Sequence, residues 1–201
     1  GAFANAAALE SVTFGKNLTT IGKYAFHNDV ALEEVTISDK VATIGVGAFE
    51  NCTGMSKVTL SNSVSSLEVC AFKNCTALEN IVINSDIADC QARSADGAYD
   101  RDTSQAVFFN AGANAASLKV TFGDEVTRIP AFLFATGREK GDGRYCHVTD
   151  VEIGKGVTEI AQQAFYNCHD LKNITFGDKT KTIGFYAFGN TSSLKNLVLS
   201  D

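Results

Sequence analysis

Two segments of this chain concentrate the side chains that hold ions and make strong polar contacts. The first, Asp86–Gln105, carries Asp86, Asp89, Arg93, Asp96, Tyr99, Asp100, Arg101 and Asp102. The second, Gly137–Cys146, carries Arg138, Glu139, Lys140, Asp142, Arg144 and Tyr145. Calcium prefers several carboxylate and carbonyl oxygens, and the Asp-x-x-x-Asp-x-Asp run at Asp96, Asp100 and Asp102 offers carboxylates. The run lacks the ligand spacing and closing Glu of an EF-hand loop, so a plain solvated loop is the simpler reading and no metal is expected. Arg93, Tyr99, Arg101, Arg138, Arg144 and Tyr145 have the composition of an interaction hot spot. They could equally pack down to close the loops.

Acid–base and nucleophilic chemistry find little support. His27, His147 and His169 fall far apart, and the default for His27 and His169 is the surface. No Ser-His-Asp arrangement, phosphate loop or zinc spacing is present, so no catalytic residue and no cofactor are expected. Cys52, Cys75 and Cys168 each follow an Asn and read as buried small apolar residues, as does Cys70. Cys52 and Cys75 run parallel on neighbouring units, which disfavours disulfide geometry. Cys90 and Cys146 lie in the two polar segments. In an extracellular protein they could staple those segments together; otherwise they are free thiols.

What must position these residues is a repeat. The phrase Ile-Gly-x-x-Ala-Phe-x-Asn recurs, followed by Leu-x-x-Val-Thr-Ile, at a step of 23 residues: Ile21, Ile44 and Leu67, then Ile160 and Ile183. A fixed period of this length means stacked coils. Phe3, Leu9, Val12 and Phe14 belong to an earlier, incomplete unit. Val120-Thr121-Phe122 and Val151-Glu152-Ile153 continue the strand positions through an irregular middle. From Leu67 to Ile129 is 62 residues, two steps plus 16; from Ile129 to Ile160 is 31, one step plus 8. Two insertions, near 86–105 and 137–146, therefore interrupt one domain of about eight coils covering 1–201.

Val35 and Ile37 alternate with Thr36, which predicts a short strand with one buried face. Such strands stack in parallel about 4.8 Å apart, so eight span roughly 35 Å. The Ala-Phe-x-Asn segment predicts a one- or two-turn helical or 3₁₀ piece, with Phe26, Phe49, Phe72, Phe165 and Phe188 stacked as core. Its Asn residues, Asn28, Asn51, Asn74, Asn167 and Asn190, read as structural, bonding backbone groups freed at the bend. The outer sheet face carries one column of Ser11, Glu34, Lys57, Asn80, Lys119, Asp150, Asn173 and Asn196. The next is Thr13, Thr36, Thr59, Val82, Thr121, Glu152, Thr175 and Val198. A Thr column stabilises stacked strands by itself. The alternative is that Glu34, Thr36, Lys57, Thr59, Asn80, Lys119, Thr121, Asp150, Glu152, Asn173 and Thr175 form a binding surface.

Ile44–Leu60 (IGVGAFENCTGMSKVTL) and Ile160–Phe176 (IAQQAFYNCHDLKNITF) resemble the leucine-rich repeats of the BspA type. Phe109-Asn110-Ala111-Gly112 with Val120–Asp124 and Ile129-Pro130 looks like an irregular unit of such proteins. The resemblance implies an α/β fold: a right-handed leucine-rich-repeat solenoid with a parallel sheet on the concave face and short helical or 3₁₀ pieces and turns opposite. It also implies a large cell-surface or secreted protein, often bacterial and host-associated, that adheres or binds proteins. The family supplies no invariant binding residues, and the insertions depart from its simple array.

Composition sets the outer bounds. Net charge is −6, from 17 basic and 23 acidic residues, which argues against nucleic acid or an anionic membrane as partner. No stretch approaches a membrane span, so no membrane insertion is expected. The chain opens on Gly1-Ala2-Phe3 in mid-repeat and closes at Asp201 just after a strand, without the polar caps that end such arrays; a section of a longer protein is expected. The functional expectation is an extracellular or cell-surface adhesion-type scaffold that binds a protein or glycoprotein, for instance of host surface or matrix. The alternatives are a passive spacer presenting another domain, or a glycan-binding module.

Overall fold

The computed structural model describes residues 1–90, 105–136, 145–195 and 197–199. Its strands in chain order are β1 (Thr20–Ile21), β2 (Glu34–Thr36), β3 (Thr43–Ile44), β4 (Lys57–Leu60), β5 (Ser66–Leu67), β6 (Asn80–Ile83), β7 (Lys119–Phe122), β8 (Arg128–Ile129), β9 (Asp150–Glu152), β10 (Glu159–Ile160), β11 (Asn173–Thr175) and β12 (Thr182–Ile183). All pair in parallel. One six-stranded sheet runs β2-β4-β6-β7-β9-β11. Val35, Val58, Ile81, Val120, Val151 and Ile174 share its inward column, each in register with the next. The register survives both insertions, since Asn80 faces Lys119 and Lys119 faces Asp150. Before β2 the pairing shrinks to a bridge between Ser11 and Glu34, and Leu197–Leu199 form no strand, so six of the eight expected positions are built as strands.

A second set of strands was not expected. The two-residue segments that end on Ile21, Ile44, Leu67, Ile129, Ile160 and Ile183 form two three-stranded sheets, β1-β3-β5 and β8-β10-β12. Each unit thus bends between two strands.

The expected helical or 3₁₀ pieces are not built at the described Ala-Phe-x-Asn segments; turns replace them. Hydrogen bonding gives the reason. In the unit at Ile21, the N–H groups of Ala25 and His27 donate three residues back, to Gly22 and Tyr24. Those of Tyr24, Phe26 and Asn28 donate instead to Val46, Ala48 and Glu50 of the next unit. An α-helix needs every N–H for its own ladder. Tyr24 (φ 54°) and Asn28 (φ 63°) are also left-handed, a conformation that costs most L-residues about 1–2 kcal/mol and that Asn tolerates best. Asn holds that place at Asn5, Asn28, Asn51, Asn74, Asn110, Asn167 and Asn190, all with positive φ.

Those asparagines mostly bond one another. The Nδ2 of Asn51 donates to Asn28 Oδ1 at 2.8 Å, Asn74 to Asn51 at 2.8 Å, Asn110 to Asn74 at 3.1 Å, and Asn190 to Asn167 at 2.8 Å. Where Thr136 replaces Asn the amide finds backbone instead, Asn167 donating to the Thr136 carbonyl. Inside the ladder stands the aromatic column. Rings of Phe3, Phe26, Phe49, Phe72, Phe108, Phe134, Phe165 and Phe188 follow at 4.9–5.3 Å, nearly parallel. That spacing is the strand spacing carried inward. The sulfurs of Cys52 and Cys75 fill the next position and donate to the carbonyls of Phe26 and Phe49. One close backbone approach demands glycine: a Cβ on Gly154 would lie 2.3 Å from the Gly123 carbonyl oxygen.

Candidate functional site

All eleven expected residues of the sheet face lie where the alternation puts them. Glu34, Thr36, Asn80, Glu152, Asn173 and Thr175 are exposed, and Lys57, Thr59, Lys119, Thr121 and Asp150 are half-buried. The two ends of this face differ. From β2 to β6 the side chains stand as parallel columns. From β7 to β11 they join: Lys119 Nζ meets Glu152 Oε1 at 2.7 Å, and Thr121 Oγ1 donates to Glu152 Oε2 at 3.5 Å. Asn173 Nδ2 donates to Asp150 Oδ1 and Thr149 Oγ1 to Asp150 Oδ2, both at 2.7 Å. Strand β9 is thus an acidic strand flanked by donors from both neighbours.

The insertions are reached only at their roots. Arg93, Tyr99, Arg101, Arg138 and Arg144 lie outside the described residues, as does the Asp96–Asp102 run. Asp86–Cys90 packs against the array, with Ile87 and Cys90 buried. It sits where the second set of strands breaks between β5 and β8. The Ala88 N–H donates to the Ser65 carbonyl on one side, and carboxylates complete the other. Asp86 Oδ1 accepts from the N–H groups of Thr127 (2.7 Å) and Arg128 (3.1 Å), and its Oδ2 from Thr127 Oγ1 (2.6 Å). Asp89 accepts from the Ala131 N–H at 2.9 Å and from the Arg128 guanidinium, whose Nε reaches Glu159 at 3.1 Å. Partial burial alone would raise the Asp86 carboxyl, but those hydrogen bonds and the Arg128 charge outweigh it and hold it below its ordinary value. The Arg128 hydrogen bond does the same for Asp89.

Tyr145 is buried at the root of the second insertion. Its ring stacks on His147 at 4.3 Å and meets His169 edge-on at 5.1 Å. Its hydroxyl donates to Asp170 Oδ1 at 3.3 Å, while His147 Nδ1 lies 2.8 Å from Asp170 Oδ2. Desolvation, reinforced by Asp170, raises the Tyr145 phenol. His169, expected at the surface, is buried because Tyr145 covers it. His27 is half-buried beside Glu50 at 3.6 Å. All six cysteines are buried, Cys90 and Cys146 are not joined to each other, and burial pushes the thiols of Cys52, Cys90 and Cys146 up to about 12. Such thiols are unreactive at neutral pH. Among the described residues no group of three or more His, Cys, Asp or Glu is placed to hold a metal, and no helix is long and apolar enough to cross a membrane.

Sequence reasoning missed the Asp86–Asp89–Arg128 cluster, since its partners are about 40 residues apart in sequence and meet only through the stacking register.

Comparison with known proteins rests on the repeat. The family model described as BspA type leucine-rich repeat region matches in six copies, over residues 1–95 and 144–201. No curated protein matches significantly. Among solved structures, a leucine-rich repeat protein from T. pallidum superposes with a TM-score of 0.58 at 20% identity, over 93% of this chain and 78% of that one. A leucine-rich repeat protein from Bacteroides ovatus ATCC 8483 gives 0.51 at 20% identity, over 95% of this chain. The chain spans about half the length of the latter, 49%. At such identities these likenesses concern the fold alone.

Proposed function

Because the chain belongs to the BspA-type leucine-rich-repeat family, we propose that it is an adhesion-type interaction scaffold, cell-surface or secreted, that holds a protein or glycoprotein partner on the outer face of its six-stranded sheet. The observation that carries this reading is the face itself: six strands in unbroken register, presenting polar columns from Glu34 and Thr36 to Asn173 and Thr175. Stacked repeats make such faces long and stiff, so a partner meets preorganised groups and little ordering entropy is lost. We place this face on the concave side of a right-handed solenoid spanning 1–201. The mechanism is multipoint contact with no chemical step. The insertions near 86–105 and 137–146 contribute further contacts, through Arg93, Tyr99, Arg101, Arg138 and Arg144. Tyr145, by its burial, seats the second insertion.

The test is capture from host extracellular-matrix and cell-surface extracts by three proteins: the intact chain, a variant lacking 91–104 and 137–144, and Glu34→Lys/Lys57→Glu/Asn80→Lys on the sheet. The expected result is capture that survives loop deletion and fails in the sheet variant. Loss on loop deletion alone would move the contact to the insertions. No capture by any of the three would favour a passive spacer.

A further inference from the structure

The acidic strand β9 and its flanking donors form a shallow recess of about 140 Å³, lined by Lys119, Asp150, Val151, Glu152, Asn173 and Thr175. Its polar groups are already tied together, Lys119 to Glu152 and Asn173 to Asp150, each at 2.7 Å. Val151, its one apolar lining residue, is 2% exposed, so an apolar anchor finds nothing to pack on. An anion would face two carboxylates. What remains is an alternating set of spare donors and acceptors. A carboxylate has about four acceptor sites, an ammonium three donors and an amide two, so each group keeps valences beyond the bonds it makes here. A hydroxyl both donates and accepts. A carboxylate beside an amide or ammonium is therefore the complement of a vicinal diol, which can accept from the one and donate to the other.

We propose that this recess is a subsite for one sugar ring of a glycan, recognised through vicinal hydroxyls by Asp150–Asn173 on one side and Glu152–Lys119 on the other. The inference rests on the scaffold reading above and names the ligand class for part of that face. Size agrees: small-molecule pockets hold roughly 300–1,000 Å³, so a recess this shallow takes one ring of an extended chain and does not enclose a free ligand. Strength then comes from several rings along the face, or several copies of the protein, acting together.

The experiment is a printed glycan array probed with the intact chain, with Asp150→Ala/Asn173→Ala, with Glu152→Gln, and with Lys16→Ala as a surface control away from the sheet. Thermal melts verify that each variant is folded. The expected result is a set of array hits that falls about tenfold or more, the loss of one or two charge-assisted hydrogen bonds, in the first two variants and stays unchanged in Lys16→Ala. A blank array, hits indifferent to the recess variants, or hits displaced by poly-lysine would overturn it, the last by making the carboxylates a cation site. Binding to matrix proteins before and after enzymatic deglycosylation separates the two readings. Retained binding with a blank array leaves the scaffold standing and removes the sugar subsite. Binding lost on deglycosylation supports the subsite.

Discussion

The units from Ile21 to Ile83 and the stretch from Asp86 to Thr136 build the same coil by different means. In the first, the framework contacts repeat by translation: Phe26, Phe49 and Phe72 stack, Asn28, Asn51 and Asn74 pass one amide hydrogen bond along, and strands pair at matched positions. In the second the short-strand ladder stops, and the Asp86 carboxylate accepts from the Thr127 and Arg128 N–H groups that a preceding strand would have taken, while Asp89 accepts from the Ala131 N–H. The aromatic column nevertheless continues through Phe108 and Phe134. The hydrophobic column tolerates a change of loop length so long as one ring arrives per coil. Backbone pairing at the coil's edge does not, because an unpaired N–H there costs about 1–3 kcal/mol and needs a specific acceptor.

The largest effect expected from this contrast is at the column, and it should be the same on both sides. Phe49 is fully buried and Phe134 is 1% exposed. Phe49→Ala and Phe134→Ala should each cost about 3–5 kcal/mol, read as shifts of urea midpoint at constant m. A Phe134→Ala cost under about 1 kcal/mol, with Phe49→Ala at full value, would mean the interrupted coil collapses around its loss, and the two regions would not share one core.

Next in size is the carboxylate substitute. Asp86→Ala/Asp89→Ala strands the N–H groups of Thr127, Arg128 and Ala131, so a loss of about 1–3 kcal/mol is expected. The loss should depend on pH with a definite sign. Both carboxyls are held below their ordinary value in the folded chain. Their contribution is therefore complete above the unfolded carboxylate value, about 3.9, and disappears as pH falls through the lower folded value. Melts between pH 7 and pH 3 should show the gap between wild type and variant narrowing at the acid end. A gap as wide at pH 3 as at pH 7 would mean that the side chains act by packing.

How much of this was legible follows from the same contrast. The period of 23 located the strands of the large sheet, and its apolar positions gave Phe26, Phe49, Phe72, Phe165 and Phe188 before any geometry. Phe108 was harder, because Phe109 stands beside it and only the two-residue distance to Asn110, equal to that from Phe26 to Asn28, separates core ring from flank. The Ala-Phe-x-Asn piece read as helical because local spacing cannot reveal that alternate N–H groups are claimed by the next coil. The Asn repeated at one place, Asn28 and its equivalents, was the available warning, since Asn is the residue that best tolerates the positive φ found there. His169 was misplaced for a related reason: what buries it, Tyr145, arrives from an insertion whose path the repeat does not encode.

The smallest expected effect bears most directly on function. Lys119 and Glu152 form a 2.7 Å ion pair across β7 and β9, with side chains 43% and 51% exposed. Pairs this wet contribute about 0–1 kcal/mol, and these strands are already joined by backbone pairing and the buried Val120 and Val151. A double-mutant cycle of Lys119→Ala and Glu152→Ala should give a coupling below about 1 kcal/mol, shrinking further in high salt. Such a result would leave the charged residues of β9 without a substantial structural task, consistent with their presenting hydrogen-bonding groups to a partner. A coupling above about 2 kcal/mol would exceed what an exposed pair supplies and make the pair a staple across the irregular 31-residue step. The recognition reading of the face would then have to rest on its other end, around Glu34, Lys57 and Asn80, where each polar side chain stands in its column without a cross-strand ion pair among the described residues.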